Sequence, residues 1–299
     1  MSVNAGLPAR LRRQLDRLLR RFGGRLGLAA RHLDTGEELA FNADSVFPTA
    51  SVIKLAVLVE LYRQAESGAL GLDRTVEVTS DDAMRGSGVL RELGPGLRPT
   101  LRDLATLMII VSDNVATKIL LRVVGGPEAV NHTLQHRLQL RSVVLHGYGG
   151  ARLGEATPRD LIRLVAALVN GEIWSAAASE DMLTILSRNL YLDQFPRYLK
   201  HDRYLANHGV SVAGKTGFDR GTRTDAGVIT LPDKSRFVYA IANHGFEDPA
   251  LSADGDGAVL NGLIGRLVVG HWWRGKKSDV LLPMPIRASG RVGNPPNDR

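Results

Sequence analysis

Ser51-Val52-Ile53-Lys54 places a hydroxyl and an amine three residues apart, and on a helix both side chains project from one face. A lysine so placed can take the serine's proton if apolar surroundings and a second cation depress its pKa. Backbone N–H groups at a helix start near Ser51 would lie close enough to stabilise an oxyanion. An N-cap serine is the plainer account of the same pattern. Ser112-Asp113-Asn114 interrupts two apolar helical stretches, where polar groups must find partners, face a cleft or make a simple interhelical turn. Lys215-Thr216-Gly217 opens a stretch with strand character. There a lysine and a hydroxyl can bind a carboxylate, and a glycine lets a backbone approach. A solvated edge lysine is the alternative.

The elements that must hold these groups follow from periodicity. Leu7 to Phe22 reads as a helix with one apolar face, ended by Gly23-Gly24, and Leu26 to Leu33 and Glu38 to Asn42 read as two strands around Asp34-Thr35-Gly36-Glu37. Val52 to Leu61 is apolar on nearly every side, the pattern of a helix buried at the centre of a domain. Thr100 and Asp103 form a capping box for a helix to about Val111, followed by helices over Asn114 to Val124 and Pro127 to Leu138. Further helices open at Thr157-Pro158 and near Ser179. From about Val210 the pattern turns to strands, with Pro232-Asp233-Lys234-Ser235 as a hairpin turn, and Ala258 to Trp273 returns to helix.

Neither end of the chain makes a complete sheet alone. The expected fold is therefore α+β: one antiparallel sheet built from both chain ends and flanked by the terminal helices, with an inserted all-helical domain. The boundaries this implies are 1–45 with 200–276 for the sheet domain, 46–199 for the helical domain and 277–299 for a flexible tail.

Composition excludes several classes. The chain of 299 residues has no cysteine, which removes disulfides, thiolate metal sites and a cysteine nucleophile. Its formal charge of +7 resides at the ends: the first 25 residues carry seven arginines against Asp16, and the body between the ends is −3. No basic excess is left to track a nucleic acid. No apolar run reaches the roughly 18 residues of a membrane span, and the arginine-rich start has no apolar core of a secretion signal.

In the order Ser51, Ser112, Lys215, on helix, interhelical turn and strand, the motifs S-x-x-K, S-D-N and K-T-G resemble those of the class A serine β-lactamases and their penicillin-binding relatives. The resemblance runs from about Arg10 to Trp273 and includes Phe47 to Leu55, Leu101 to Thr117 and Lys215 to Asp225. It implies a cofactor-free monomer acting on a small β-lactam or peptidoglycan-like acyl substrate, in a family that usually works in the periplasm or outside the cell. Ser51 would be acylated, Lys54 would accept its proton, and Ser112, assisted by Lys215, would pass a proton to the leaving nitrogen. Asn114 would hold the substrate's amide, and Thr216 and Arg223 its carboxylate. The N–H groups of Ser51 and Phe218, the latter following Gly217, would form the oxyanion hole.

One feature of that family is absent. Its pattern E-x-x-L-N, whose glutamate activates the deacylating water, occurs nowhere between Asn114 and Pro158. The stretch His146 to Thr157 is short and glycine-rich and contains the single acid Glu155, which precedes a helix whose N-terminus favours a carboxylate. Glu155 is the candidate water-activating base, with His146 and Tyr148 behind it, and without one deacylation would be slow. Two other readings compete. Gly209 to Thr216 matches the P-loop pattern G-x-x-x-x-G-K-[ST], which requires a strand before it and a helix after it. His132 and His136 have the i, i+4 spacing of metal ligands, without a third histidine near them in sequence. A non-enzymatic β-lactam binder would share the acylating residues.

Overall fold

The computed structural model describes residues 6–20, 22–149, 152–201, 209–247 and 252–284. In chain order these form α1 (Ala9–Leu19), β1 (Arg25–His32), β2 (Glu38–Phe41), β3 (Phe47–Pro48), α2 (Lys54–Glu66), α3 (Leu90–Leu93), α4 (Leu101–Ile110), α5 (Asn114–Val124), α6 (Gly126–His132), β4 (Val144–Leu145), β5 (Gly154–Ala156), α7 (Pro158–Val169), α8 (Ala176–Ser187), β6 (Ser211–Asp219), β7 (Thr222–Thr230), β8 (Arg236–His244) and α9 (Asp256–Trp272).

A five-stranded antiparallel sheet in the order β2-β1-β8-β7-β6 joins the two ends of the chain, as the sequence leads one to expect. Both faces of its central strands are covered, so β1, β7 and β8 are nearly continuous in burial rather than alternating. The side chains still alternate between two cores. Leu26, Leu28 and Ala30 pack with α1 and α9, while Ala29 joins the core of the helical block. Gly27 lies on that second face, where a Cβ would strike the Phe47 ring at 2.4 Å and Pro158 at 3.0 Å. Its bare backbone admits the start of α7, which packs across β1, β7 and β8.

The segment 46–199 is not all helical. β3, β5 and β4 form a second, three-stranded sheet, and α7 from this segment covers the sheet made by the chain ends. Strands of two or three residues are too short to register as alternation. Nor is the start of the 277–299 stretch a loose tail: Val280 and Leu281 are buried against α9, and the Val280 carbonyl accepts from the Lys200 N–H at 2.8 Å. Residues 285–299 lie outside the described residues. α8 begins at Ala176, earlier than Ser179, and is capped by Ser175, whose hydroxyl accepts from the Ala178 N–H.

The helix starts that matter most for the site are built by local chemistry. Thr100 and Asp103 cap α4 reciprocally, and Asp113 caps α5 through the Ala116 N–H. α2 is preceded by a 3-10 turn over Ala50–Ile53 and is buried without interruption from Lys54 to Tyr62.

Candidate active site

Ser51 sits half-buried in the 3-10 turn before α2, at the edge of a cleft of about 330 Å³. Lys54, one turn on, is completely buried, and its Nζ donates to the Ser112 carbonyl (2.7 Å), the Ser112 Oγ (3.1 Å) and the Asn114 Oδ1 (2.8 Å). Burial, reinforced by the cation of Lys215 and opposed by Asp113, holds the Lys54 pKa well below the usual lysine value. Ser112 occupies the left-handed region (φ 55°), an unfavourable conformation for a residue with a Cβ. The turn it makes between α4 and α5 presents its hydroxyl and carbonyl together to Lys54.

Lys215 is buried in mid-strand on β6, with Nζ 2.6 Å from the Thr216 carbonyl. Burial pushes its pKa down to about 7, against the pull of Asp225 and Asp193. Gly217 is required where it stands: a Cβ there would lie 2.5 Å from the Thr49 carbonyl and 2.8 Å from the Ser51 nitrogen. The strand backbone thus lies directly against the turn that carries Ser51, and the Thr224 hydroxyl ties β7 to the Pro48 carbonyl at 3.1 Å. Phe218, the next residue on this edge strand, is exposed and lines the cleft with Ser51 and Asn114.

Part of the site has no sequence signal strong enough to reveal it. Gly86 and Ser87 line the cleft because Asp113 and Asn114 pin their loop. The Asp113 Oδ2 accepts from the Val89 and Leu90 N–H groups (2.7 and 2.9 Å), the Asn114 Nδ2 donates to the Arg85 carbonyl (2.9 Å), and the Asn114 N–H donates to the Ser87 carbonyl (3.0 Å). Gly88 (φ 116°) leaves room for the Asp113 side chain, which a Cβ would meet at 2.3 Å. The Gly-Ser-Gly run at 86–88 marks a turn in the sequence, but its partners are more than 20 residues away.

The opposite wall is the hairpin of β4 and β5, which contributes Tyr148, Arg152 and Leu153. Glu155 is not part of it. It shares a strand face with Leu153 but is not among the residues that line the cleft, while Gly154, where a Cβ would meet the Ile53 side chain at 2.7 Å, faces the 3-10 turn. The Glu155 carboxylate lies 3.8 Å from the His146 Nε2 and 4.0 Å from Arg152. Exposed His146 shares its face, and these two neighbours, not Ser51, are the partners the carboxylate meets. Tyr148 does reach the site, its hydroxyl 3.4 Å from the Asn114 Oδ1, but burial raises its pKa to about 12.

Arg223 is also turned elsewhere. It is buried, donates to the main-chain carbonyls of Asp219, Thr222 and Ser252 (2.9, 2.9 and 3.3 Å), and lies over the rings of Phe218 and Phe246. A guanidinium so engaged fastens the β6–β7 hairpin rather than lining the cleft. Thr216, 3% exposed, does not line the cleft either. The P-loop reading fails on context: Gly214, Lys215 and Thr216 stand inside β6, which turns into β7 and not into a helix. His132 and His136 pack ring on ring (4.8 Å), and no group of three or more potential metal ligands occurs among the described residues.

Comparison with known proteins agrees with this geometry. The β-lactamase of Streptomyces albus G is 30% identical over 258 residues, 81% of this chain and 80% of the relative. A crystal structure of a β-lactamase from Sphaerobacter thermophilus superimposes with a TM-score of 0.77 at 29% identity, covering 87% of this chain and 95% of the other. A point mutant of PBP-A, in an acyl-enzyme complex with penicillin G, gives a TM-score of 0.78 at 27% identity over 91% and 98% of the two chains. The model of the β-lactamase enzyme family matches residues 10–272, and with the fold and motifs in agreement the chain belongs to that family.

Proposed function

We propose that this protein opens β-lactam rings through an ester on Ser51 and releases the product slowly. The observation that carries the reading is the buried Lys54 amine, held against the Ser112 hydroxyl at 3.1 Å one helical turn from Ser51. A buried, cation-flanked lysine is neutral over more of the pH range and can accept the Ser51 proton. Its contact with the Ser112 Oγ gives a route by which that proton reaches the leaving nitrogen, with Lys215 adding positive potential. The N–H groups of Ser51 and Phe218 take the oxyanion. With Arg223 engaged elsewhere and Thr216 buried, the field of Lys215 is left to attract the substrate's carboxylate.

Release requires a base within hydrogen-bond reach of a water at the ester. The hairpin wall offers Tyr148, held protonated at neutral pH, while Glu155 does not line the cleft and its carboxylate lies by His146 and Arg152. This favours a long-lived acyl-enzyme and leaves a penicillin-binding peptidase or esterase as the second reading, since such an enzyme also traps penicillin as an ester. PBP-A, a mutant of which was captured with penicillin G, is a structural neighbour consistent with either.

Intact-protein mass spectrometry with penicillin G over time tests the proposal. A stoichiometric adduct that persists for minutes, absent in Ser51→Ala, is expected. An adduct on the Ser51→Ala variant, or none on the wild type, overturns the assignment, and rapid turnover overturns slow release. Cleavage of a D-alanyl-D-alanine depsipeptide would select the peptidase or esterase reading.

A further inference from the structure

Behind β6 three buried amides stand in line. Asn243 on β8 donates through Nδ2 to the Gly257 carbonyl and the Asn261 Oδ1 on α9, both at 2.9 Å. Asn261 donates to the Gln194 Oε1 at 3.0 Å, and Gln194 donates from Nε2 to the Gly217 carbonyl at 3.1 Å. All three side chains are at most 1% exposed, and the Asn243 Oδ1 has no hydrogen-bond partner among the described residues. The run of donors therefore begins at Asn243 and points one way, toward Gly217.

The fold is adapted to hold this line. Gly262 and Gly265 interrupt the middle of α9, where glycine is unfavourable. A Cβ at these positions would strike the Arg197 side chain at 2.8 Å and the Phe195 carbonyl at 2.0 Å, so the glycines let the segment bearing Gln194 lie on the helix. From the other side the Asp225 Oδ2 accepts from the Phe195 N–H at 3.0 Å, and the Phe195 ring stacks on Tyr239 at 3.9 Å. Gln194 is thereby fixed between α9 and the sheet.

The Gly217 carbonyl and the Phe218 N–H are the two ends of one planar peptide unit. A hydrogen bond to that oxygen draws electron density from the amide nitrogen, strengthens the N–H as a donor and fixes the plane in which it points. Amides bonded in series polarise one another in the same sense. We infer that Gln194, Asn261 and Asn243 are positioning residues that aim and polarise the Phe218 N–H toward the acyl oxyanion. This rests on the reading of Ser51 as the acylated residue and Phe218 as its oxyanion donor.

The test uses the full chain. Gln194→Glu keeps the shape and the acceptor for Asn261 but sets an oxygen against the Gly217 carbonyl. In the free protein the Phe218 amide resonance should move upfield in the 15N–1H spectrum. With penicillin G the limiting acylation rate should fall about tenfold, short of the roughly 10²–10³ lost with a whole oxyanion donor, while half-saturation stays unchanged. The ester carbonyl stretch should rise. Asn261→Ser, farther from the cleft, should do the same to a smaller degree, and the double variant should be no worse than Gln194→Glu alone. It also carries the test if Gln194→Glu does not fold. A slower acylation with the Phe218 resonance and the ester stretch unmoved would reduce the line to a structural prop, and an unchanged rate would remove the inference. If the wild type forms no ester at all, the proposed function fails, and the Phe218 resonance still decides whether the line polarises that amide.

Discussion

The cleft lies between two walls of unlike construction. On one, the start of α2, the α4–α5 turn and β6 bury Lys54, Ser112 and Lys215 completely or nearly so, and Gly217 brings the strand backbone against Ser51. On the other, the β4–β5 hairpin leaves His146 and Arg152 exposed, and its single acid is not among the residues that line the cleft. The contrast follows what each half of an acyl-transfer reaction asks of a protein. Forming the ester is favoured by an amine of depressed pKa, and burial beside a second cation lowers that of Lys54. Hydrolysing the ester needs a base aimed at a water, and the hairpin's carboxylate is not among the residues that line the cleft.

The largest effect that tests this comparison is expected from Lys54→Ala, which should slow acylation by about 10² to 10⁴, the usual contribution of a positioned proton acceptor. Acylation by the wild type should fall as pH drops through the depressed Lys54 pKa, whose onset lies below the ordinary lysine range. Lys215→Ala removes a neighbouring cation and should move that limb to higher pH; a pH–rate profile that does not move would break the pairing of the two lysines. A smaller effect is expected from Leu153→Glu, which adds a carboxylate on the cleft lining of the weak wall. Its adduct should decay up to about tenfold faster, short of the 10² to 10⁴ of a well-placed base. Smallest of all, Glu155→Gln should leave the adduct lifetime within about twofold, because a water-activating base would be worth far more than that. A strongly prolonged lifetime in this variant would place Glu155 in the mechanism after all.

The legible parts of the molecule are those governed by short-range rules. The capping box at Thr100 and Asp103, the Pro158 start of α7 and the turn between β7 and β8 depend on residues within one turn of one another. The strands β3, β4 and β5 leave no such trace, because the sheet they form is held by partners distant in sequence, Phe47 pairing with Ala156 across more than 100 residues. The Gly86–Gly88 loop is hidden for the same reason, since its shape is dictated by Asp113.

By itself the sequence determined the mixed fold, the buried central helix and the presence of a serine, two lysines and a polar turn in an order that few chemistries explain. Those conclusions rest on residue type and spacing, which are written in the chain. Only the tertiary structure decided where the groups point. Glu155 was set beside His146 and Arg152, main-chain carbonyls captured Arg223, and packing against α9 brought Gln194, Asn261 and Asn243 behind Gly217. A side chain's direction depends on which face of its element is covered and by what, and that is settled by contacts between residues far apart in the chain.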